Sequence, residues 1–527
     1  MKVLITDRFV QQGIDVLLKA GLVVDVKLGL TEHELRECIS CYDGLIIRSA
    51  TRVTEAVIRL ADRLKVIGRA GAGVDNIDVA AATQRGILVM NTPGGNSVSV
   101  AEHTLGLMLA LVRQLVEANQ SMKGGRWEKG RFTGRELRAK VLGLIGLGKV
   151  GQEVARRARS LGMKIMAYDP FISERLAQDL DVQLVSLDEL FQCSDIISLH
   201  ATLNEQTRAI INRQSLQRMK DGVLIINCSR GELVDEEALL EGIKTGKVYG
   251  AGLDVFVGEP SPMRELVEHP RVIATPHIAA STQEAQEQVC IDIAEQVRDY
   301  LLTGQIRNAV NFPTIQPEEA EKLRVFCQLG EKLGKFIAQM SDRRLHEVGI
   351  RYYGKINELN TYPISNAVLS GVLKPALGDE VNMINARRVA EERRLIVTET
   401  KSGRTRSLSN VISVQLRDGQ GGVDWVEGAV FKQNHLRLVT IDGIDLEVPL
   451  SRFMLLMQNQ DVPGVIGRIG TILGAANINI ANFALGRQAD APLAIGVLTV
   501  DSEVSESVLT EIRQSSGITK VRFINLD

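Results

Sequence analysis

The sequence has no apolar run long enough to cross a bilayer. The apolar stretch Leu105–Val112 spans eight residues, against the roughly 18–20 that a membrane span takes. Charge of one sign is also missing. The 62 basic and 64 acidic side chains leave a net of −2, so composition argues for neither nucleic acid nor an anionic membrane as partner. Cysteine is scarce, six in 527 residues, which is no basis for a disulfide framework. Cys38-Ile-Ser-Cys41 has the spacing of a thiol redox pair or half a zinc site. No second pair and no histidine cluster completes a metal centre, and no metal is expected. No leader is visible either, because the chain opens Met1-Lys-Val-Leu-Ile-Thr-Asp7 and is strand-like at once. These absences suit a reducing, cytoplasmic setting. What is present, 24% charged and 45% hydrophobic residues over this length, is material for three or four globular domains.

The most informative stretch is Val141-Leu-Gly-Leu-Ile-Gly-Leu-Gly-Lys-Val-Gly151. Val141–Ile145 reads as a buried parallel strand, Gln152–Leu161 as a helix, and Lys164–Tyr168 as a second strand ending at Asp169. Strand, Gly-x-Gly-x-x-Gly turn, helix, strand and acid is the order of a dinucleotide-binding unit. Gly146 allows the tight turn, Gly148 lets a pyrophosphate approach the helix N-terminus, and Gly151 lets helix and strand pack closely. Asp169 accepts hydrogen bonds from ribose hydroxyls and repels a 2′-phosphate. With Pro170 and Phe171 after it and no Arg there, NAD is favoured over NADP.

Before this unit, strand-like runs (Val3–Thr6, Val23–Val26, Leu45–Arg48, Val66–Ile67, Ile87–Met90) alternate with helical connections, which predicts a parallel sheet. Arg48 and Arg69 fall at the ends of successive strands, where open α/β sheets bind ligands, so both are candidates to meet an anion. Ser99 and Glu102 have capping-box spacing, predicting a mostly buried helix from there to Ala118. The basic loop Lys123–Arg135, with Trp127 and Phe132, reads as a subunit or substrate loop. Beyond Gly151, the strands Ile196–Leu199, Val223–Asn227, Val248–Leu253 and Val272–Thr275 each end in polar or ionisable residues. A long helix, Thr282–Leu302, is able to return the chain to the first unit.

A linker at Pro313 and Pro317 precedes a region of about 318 to 450. That region shows no catalytic constellation. Its Arg387, Arg388, Arg393, Arg394, Lys401, Arg404 and Arg406 form either an anion site or a solvated charged surface. The segment from 452 to 527 reads β-α-β-β-α-β, a ferredoxin-like order whose free sheet edge suits pairing with a second copy.

Three residues carry candidate chemistry: Arg230 in Asn227-Cys-Ser-Arg-Gly-Glu-Leu-Val-Asp235, Glu259 in Asp254-Val-Phe-Val-Gly-Glu-Pro260, and His277 in Thr275-Pro-His-Ile-Ala-Ala-Ser-Thr282. Oxidising an alcohol needs a base for the hydroxyl proton while hydride leaves. His277 suits that role, Glu259 would fix its tautomer, and Arg230 offers a bidentate grip on a carboxylate.

On these motifs residues 1 to 312 resemble the D-isomer-specific 2-hydroxyacid dehydrogenase family. Gly68-Arg-Ala-Gly-Ala-Gly-Val-Asp-Asn76, Asn91-Thr-Pro-Gly-Gly-Asn-Ser97, the intervening region and the C-terminal module make the full chain similar to the family's long-form members. The resemblance implies an α/β fold: a Rossmann-type domain (99–285), a flavodoxin-like substrate domain (1–98 and 286–312), an α+β intervening domain (318–450) and a ferredoxin-like ACT domain (452–527). It implies NAD-dependent oxidation of 3-phospho-D-glycerate to 3-phosphooxypyruvate, the first step of serine synthesis, by a homodimer or homotetramer. The catalytic roles it implies fall on Arg230, Glu259 and His277. Its cofactor residues are Ala72, Lys149, Val150, Asp169, Cys228, Ser229, Asp254 and the loop His277, Ile278, Ala279 and Ala280, beside Gly146, Gly148 and Gly151. Arg48, Arg69 and Asn96 fall at substrate positions, and Asn459, Asp461 and Asn479 at positions that bind an L-serine effector in inhibited members. His200-Ala-Thr202 departs from the His-Thr-Pro of many members. The alternatives are a glyoxylate or hydroxypyruvate reductase and a NAD-sensing corepressor-like protein.

Overall fold

The computed structural model describes all residues except 314–316, 404–407, 409, 432–433 and 488–492. Arg404 and Arg406 therefore lie outside the described residues. Short apolar runs become two parallel sheets. The first has strands β1 (Lys2–Ile5), β2 (Val23–Val26), β3 (Gly44–Ile47), β4 (Val66–Arg69) and β5 (Leu88–Asn91), in the order β2-β1-β3-β4-β5. The second has β6 (Val141–Ile145), β7 (Lys164–Tyr168), β8 (Gln183–Leu184), β9 (Ile196–Leu199), β10 (Val223–Asn227), β11 (Val248–Leu253) and β12 (Val272–Ala274), in the order β12-β11-β10-β9-β6-β7-β8. Every pairing in both is parallel. Strand order reverses at β1/β3 and at β6/β9, so each sheet opens a crevice at its carboxyl edge.

Two helices join these units. Ser97–Arg113 leads from the first sheet to the second, burying Leu105, Leu107, Met108, Leu111 and Val112 in the second core. The expected capping box is not formed. The helix starts two residues before Ser99, and the Ser99 hydroxyl lies 2.7 Å from the Thr282 hydroxyl instead. The helix also stops short of Ala118, because Gln114 turns left-handed (φ 50°) and a separate helix, Leu115–Lys123, follows. Gln283–Thr303 runs back, capped by Thr282 at its start and by left-handed Gly304 at its end. Its Val289, Ile293, Val297 and Leu301 pack into the core of the first sheet.

The third sheet holds β13 (Glu347–Gly354), β14 (Ile396–Ser402), β15 (Asn410–Arg417), β16 (Val423–Phe431), β17 (His435–Ile441) and β18 (Ile444–Pro449), antiparallel except for the β13–β14 pair. Helices Pro317–Met340 and Tyr362–Leu377 share its core. The last sheet has β19 (Phe453–Gln460), β20 (Ile480–Arg487), β21 (Leu493–Val500) and β22 (Ile518–Asn525) in the order β20-β21-β19-β22. Strand periodicity divides β19. Phe453, Leu455 and Met457 face the module's own helices, while Met454 and Leu456 enter the core of the third sheet. That strand reads as continuous apolar sequence because both of its faces are covered. Among the described residues no helix is long and apolar enough to cross a membrane.

Candidate active site

The carboxyl edges of the two parallel sheets face one another across a cleft. On the second sheet, the chain leaves β6 at Gly146 with φ 97°, and a Cβ there would lie 2.6 Å from the His200 carbonyl. A Cβ on Gly151 would run into the Gly146 carbonyl, whereas one on Gly148 would meet nothing within 4 Å. The helix Lys149–Ser160 starts there without a side-chain cap, so its first N–H groups face open space. Asp169, just past β7, accepts from Leu147 N at 2.8 Å and from Phe171 N at 2.9 Å. This edge fits a dinucleotide: an uncapped helix start for the pyrophosphate, and a fixed carboxylate one strand away for a ribose. Val150 is half-buried beside the turn. Lys149 reaches across the cleft and donates to the Pro93 carbonyl at 2.7 Å.

His277 and Glu259 meet. His277 Nδ1 lies 2.8 Å from Glu259 Oε2, and the other Glu259 oxygen accepts from Phe256 N at 3.0 Å. The carboxylate is fixed from behind, so Nδ1 is the protonated nitrogen and Nε2 is left for substrate. Asp254 builds the loop beneath. Its fully buried carboxylate accepts from the Thr275 hydroxyl at 2.5 Å, Ile278 N at 2.9 Å and Ala279 N at 2.8 Å, and its carbonyl accepts from His277 N at 2.8 Å. Burial alone would raise its pKa. Hydrogen bonds involving His103, Thr275, Ile278 and Ala279 outweigh it and hold the carboxyl below its usual range. Ala279 is buried in the core, with Ala280 half-buried and Ile278 exposed at the cleft.

Arg230 follows β10. Its Nε donates to Asp75 at 3.1 Å and its Nη1 to the Ser229 carbonyl at 2.7 Å. Ser229 itself donates to the Ala201 carbonyl. Cys228 is buried, and burial pushes its thiol up to about 12. On the first sheet, Arg48 and Arg69 stand at the ends of β3 and β4. Burial, then the neighbouring Arg230 charge, pulls Arg69 down to about 10. A cation lowered in this way marks a place where positive groups converge and an anion would relieve them. Ala72 lies on the exposed loop after β4, its carbonyl held by the Asn91 amide. Asn96 precedes the long helix with its side chain not used as a cap.

The C-terminal candidates do not meet within one chain. Asn459 is buried, donating to the Gln460 carbonyl. Asp461, past the end of β19, pairs with Arg487 at 3.3 Å, while Asn479, before the start of β20, donates to Asp501 at 2.6 Å. β19 and β20 run in the same direction, each antiparallel to β21. Asp461 and Asn479 thus sit at opposite ends of the sheet.

Sequence reasoning missed four contributors. Asp7 is a buried carboxylate that accepts from the backbone of Arg48 and Thr51 and so shapes the loop after β3. Thr275 and His103 support Asp254. Asp75 holds Arg230. Asp7, Asp75 and Thr275 offered only their position just after strands, which many inert residues share, and His103, inside the helix Ser97–Arg113, offered no signal.

Comparison with known proteins decides the family. Residues 105–279 match the D-isomer specific 2-hydroxyacid dehydrogenase NAD binding domain, 322–442 the D-3-phosphoglycerate dehydrogenase intervening domain, and 453–517 the ACT domain. The chain is 43% identical to D-3-phosphoglycerate dehydrogenase of Synechocystis sp., covering all of this chain and 95% of the relative. It is 41% identical to the enzyme of the same name from Archaeoglobus fulgidus, over all of both. The chain belongs to the D-3-phosphoglycerate dehydrogenase family. As a member it is an NAD-dependent oxidoreductase with an intervening and an ACT domain. Among solved structures, a glyoxylate reductase from Paecilomyes thermophila superposes with TM-score 0.55 at 32% identity, covering 60% of this chain and 99% of its own. The TT0316 protein from Thermus thermophilus gives 0.54 at 35%, covering 59% and 100%. Each of these matches covers about three fifths of this chain.

Proposed function

We propose that the chain oxidises 3-phospho-D-glycerate to 3-phosphooxypyruvate. The observation that carries this reading is the His277–Glu259 pair opposite an Arg48, Arg69 and Arg230 cluster, on a chain with full-length relatives of that name. NAD, which Gly146, Gly148 and Asp169 would hold, would supply the acceptor for the hydride leaving C2. His277 Nε2 takes the hydroxyl proton as the C–O bond becomes a carbonyl. Glu259 keeps the imidazole in the required tautomer and stabilises it once charged. Arg230 grips the carboxylate and polarises the developing carbonyl, while Arg48, Arg69 and Asn96 bind the substrate's two anionic ends.

Asp169 gives NAD preference. The remaining cofactor positions are Gly146, Gly148, Lys149, Val150, Gly151, Cys228, Ser229, Asp254 and His277–Ala280, which follow strands of the second sheet, and Ala72, which follows β4 of the first. The functional units are 1–98 with 286–312 for substrate, 99–285 for NAD, 318–450 as intervening domain and 452–527 as ACT domain. Two copies pair through the ACT sheet edge, where L-serine binds.

The test is NAD reduction with 3-phospho-D-glycerate, D-glycerate and D-lactate, and NADH oxidation with glyoxylate and hydroxypyruvate. The phosphorylated acid should have at least about tenfold higher kcat/KM, because a charge-assisted phosphate contact is worth more than that factor. Equal use of D-glycerate would reject the substrate. Equal use of NADP would reject the role of Asp169.

A further inference from the structure

Arg230 is held at two places. A single oxygen of Asp75 accepts from Nε at 3.1 Å and lies 3.0 Å from Nη2, and the Ser229 carbonyl accepts from Nη1 at 2.7 Å. A guanidinium carries five N–H groups. An oxygen that spans Nε and Nη2 must face the edge those two nitrogens share. Two N–H groups donate hydrogen bonds and a third, on Nη2, faces Asp75 as an ion pair, which leaves one on each terminal nitrogen, the number that a bidentate grip on a second carboxylate uses.

The brace comes from the other side of the cleft. Asp75 belongs to the loop after β4 in the first sheet, whereas Arg230 follows β10 in the second. Asp75 is 70% exposed, and so exposed an ion pair adds little to stability. Its consequence is orientation. Arg230 and Arg48 both repel Arg69, and Asp75 offsets that repulsion.

We infer that Asp75 is a positioning residue that turns the Arg230 fork toward the substrate carboxylate, and does so only when the two domains are close enough for the pair to form. This rests on Arg230 being the carboxylate grip of the proposed reaction. It makes the clamp conditional on closure, since a fork that is free to rotate loses the alignment on which hydride transfer depends.

The experiment compares Asp75→Asn, Asp75→Glu and Arg230→Lys, singly and combined. Asp75→Asn keeps shape and loses charge. It should lower kcat/KM for 3-phospho-D-glycerate about tenfold, mostly in kcat, with NAD affinity unchanged. Asp75→Glu should recover part of the loss. In the Arg230→Lys background, which has no planar fork to turn, Asp75→Asn should change kcat/KM by less than about twofold. Three outcomes overturn the inference: unchanged kcat/KM in Asp75→Asn, a lowered KM showing that Asp75 competes with substrate, or the full loss repeated in the Arg230→Lys background. Calorimetric binding of oxalate to the enzyme–NADH complex gives a second reading that needs no assumption about the substrate. Oxalate should bind about tenfold more weakly to Asp75→Asn, and equal or tighter binding would overturn the inference. A chain inactive on phosphoglycerate would thus reject the substrate while the oxalate arm still decides the role of Asp75.

Discussion

His277 reaches the cleft on a backbone bent to φ 54°, a conformation uncommon outside glycine. Asp254 imposes that bend by holding the His277, Ile278 and Ala279 amides with its carbonyl and carboxylate. His277→Ala should lower turnover roughly 10²–10⁴-fold with little change in NAD affinity; turnover that stays near normal at saturating substrate would show that the proton goes elsewhere. Asp254→Asn places an NH2 among donors or leaves one amide without an acceptor, costing roughly 1–3 kcal/mol. The sign of its pH dependence follows from the direction of the shift. The folded Asp254 carboxyl is held below its ordinary value of 3.8, so its stabilisation is present above that value and lost as pH falls through the folded one. Acid unfolding followed by circular dichroism should therefore occur at lower pH in the unmutated chain than in Asp254→Asn. Coincident acid transitions would show that Asp254 contributes no such stability. Arg230, Glu259 and His277 were legible because each follows an apolar strand inside a distinctive motif. Asp7 and Asp75 were not, because a loop carboxylate has no periodicity and its partner lies far along the chain.

Elements were legible where burial made them uniform. The parallel strands stood out as short apolar runs, whereas β8, two residues long, carried no pattern. In the intervening region, β14 is largely exposed and reads as charged sequence. The docking of that region on the first-sheet unit could not be read at all. Asn382 and Asn385 donate to the carbonyls of Gly86 and Gln84 at 2.9 and 3.1 Å, and Arg388 donates to the Ala80 carbonyl at 3.1 Å. Ile384 enters the core of the first sheet. Gly86 has φ 69°, and a Cβ there would collide with the Asn382 amide. All three donors bind carbonyls in or just past the helix Val79–Gln84, which directly follows the loop carrying Asp75. Ile384→Ala should thus cost about 2–4 kcal/mol and raise KM for phosphoglycerate without changing NAD affinity. Thermal unfolding and kinetics check this; a loss of stability with KM unchanged would mean that the seam is structural only.

At the scale of the molecule, the ACT sheet is not a free-standing module. Met454, Leu456, Ile495, Val497, Ile524 and Leu526 bury one of its faces in the core of the intervening domain. Cut out at residue 452, it would expose that face, so effector binding has to be measured on the full chain. β20 ends its sheet's hydrogen-bonded order, with Gly486 close against Ile444 and Asp445 of β18. A two-fold pairing of β20 with β20 runs the strands antiparallel, bringing the start of one beside the end of the other. Asn479 precedes that start, and Arg487, paired with Asp461, stands at that end. A site for an amino acid built this way takes its amide from one copy and its carboxylate from the next: the carboxylate receives the ammonium, and the amide meets the carboxyl group. An effector there influences catalysis only by favouring one arrangement of the subunits. Asp461→Ala and Asn479→Ala should each abolish L-serine binding by calorimetry. Dissociated and mixed, the two variants should regain one intact site per mixed pair, because both substitutions then fall on the same seam. If the mixture binds no serine while the unmutated chain does, the site lies within one chain and the seam is wrong.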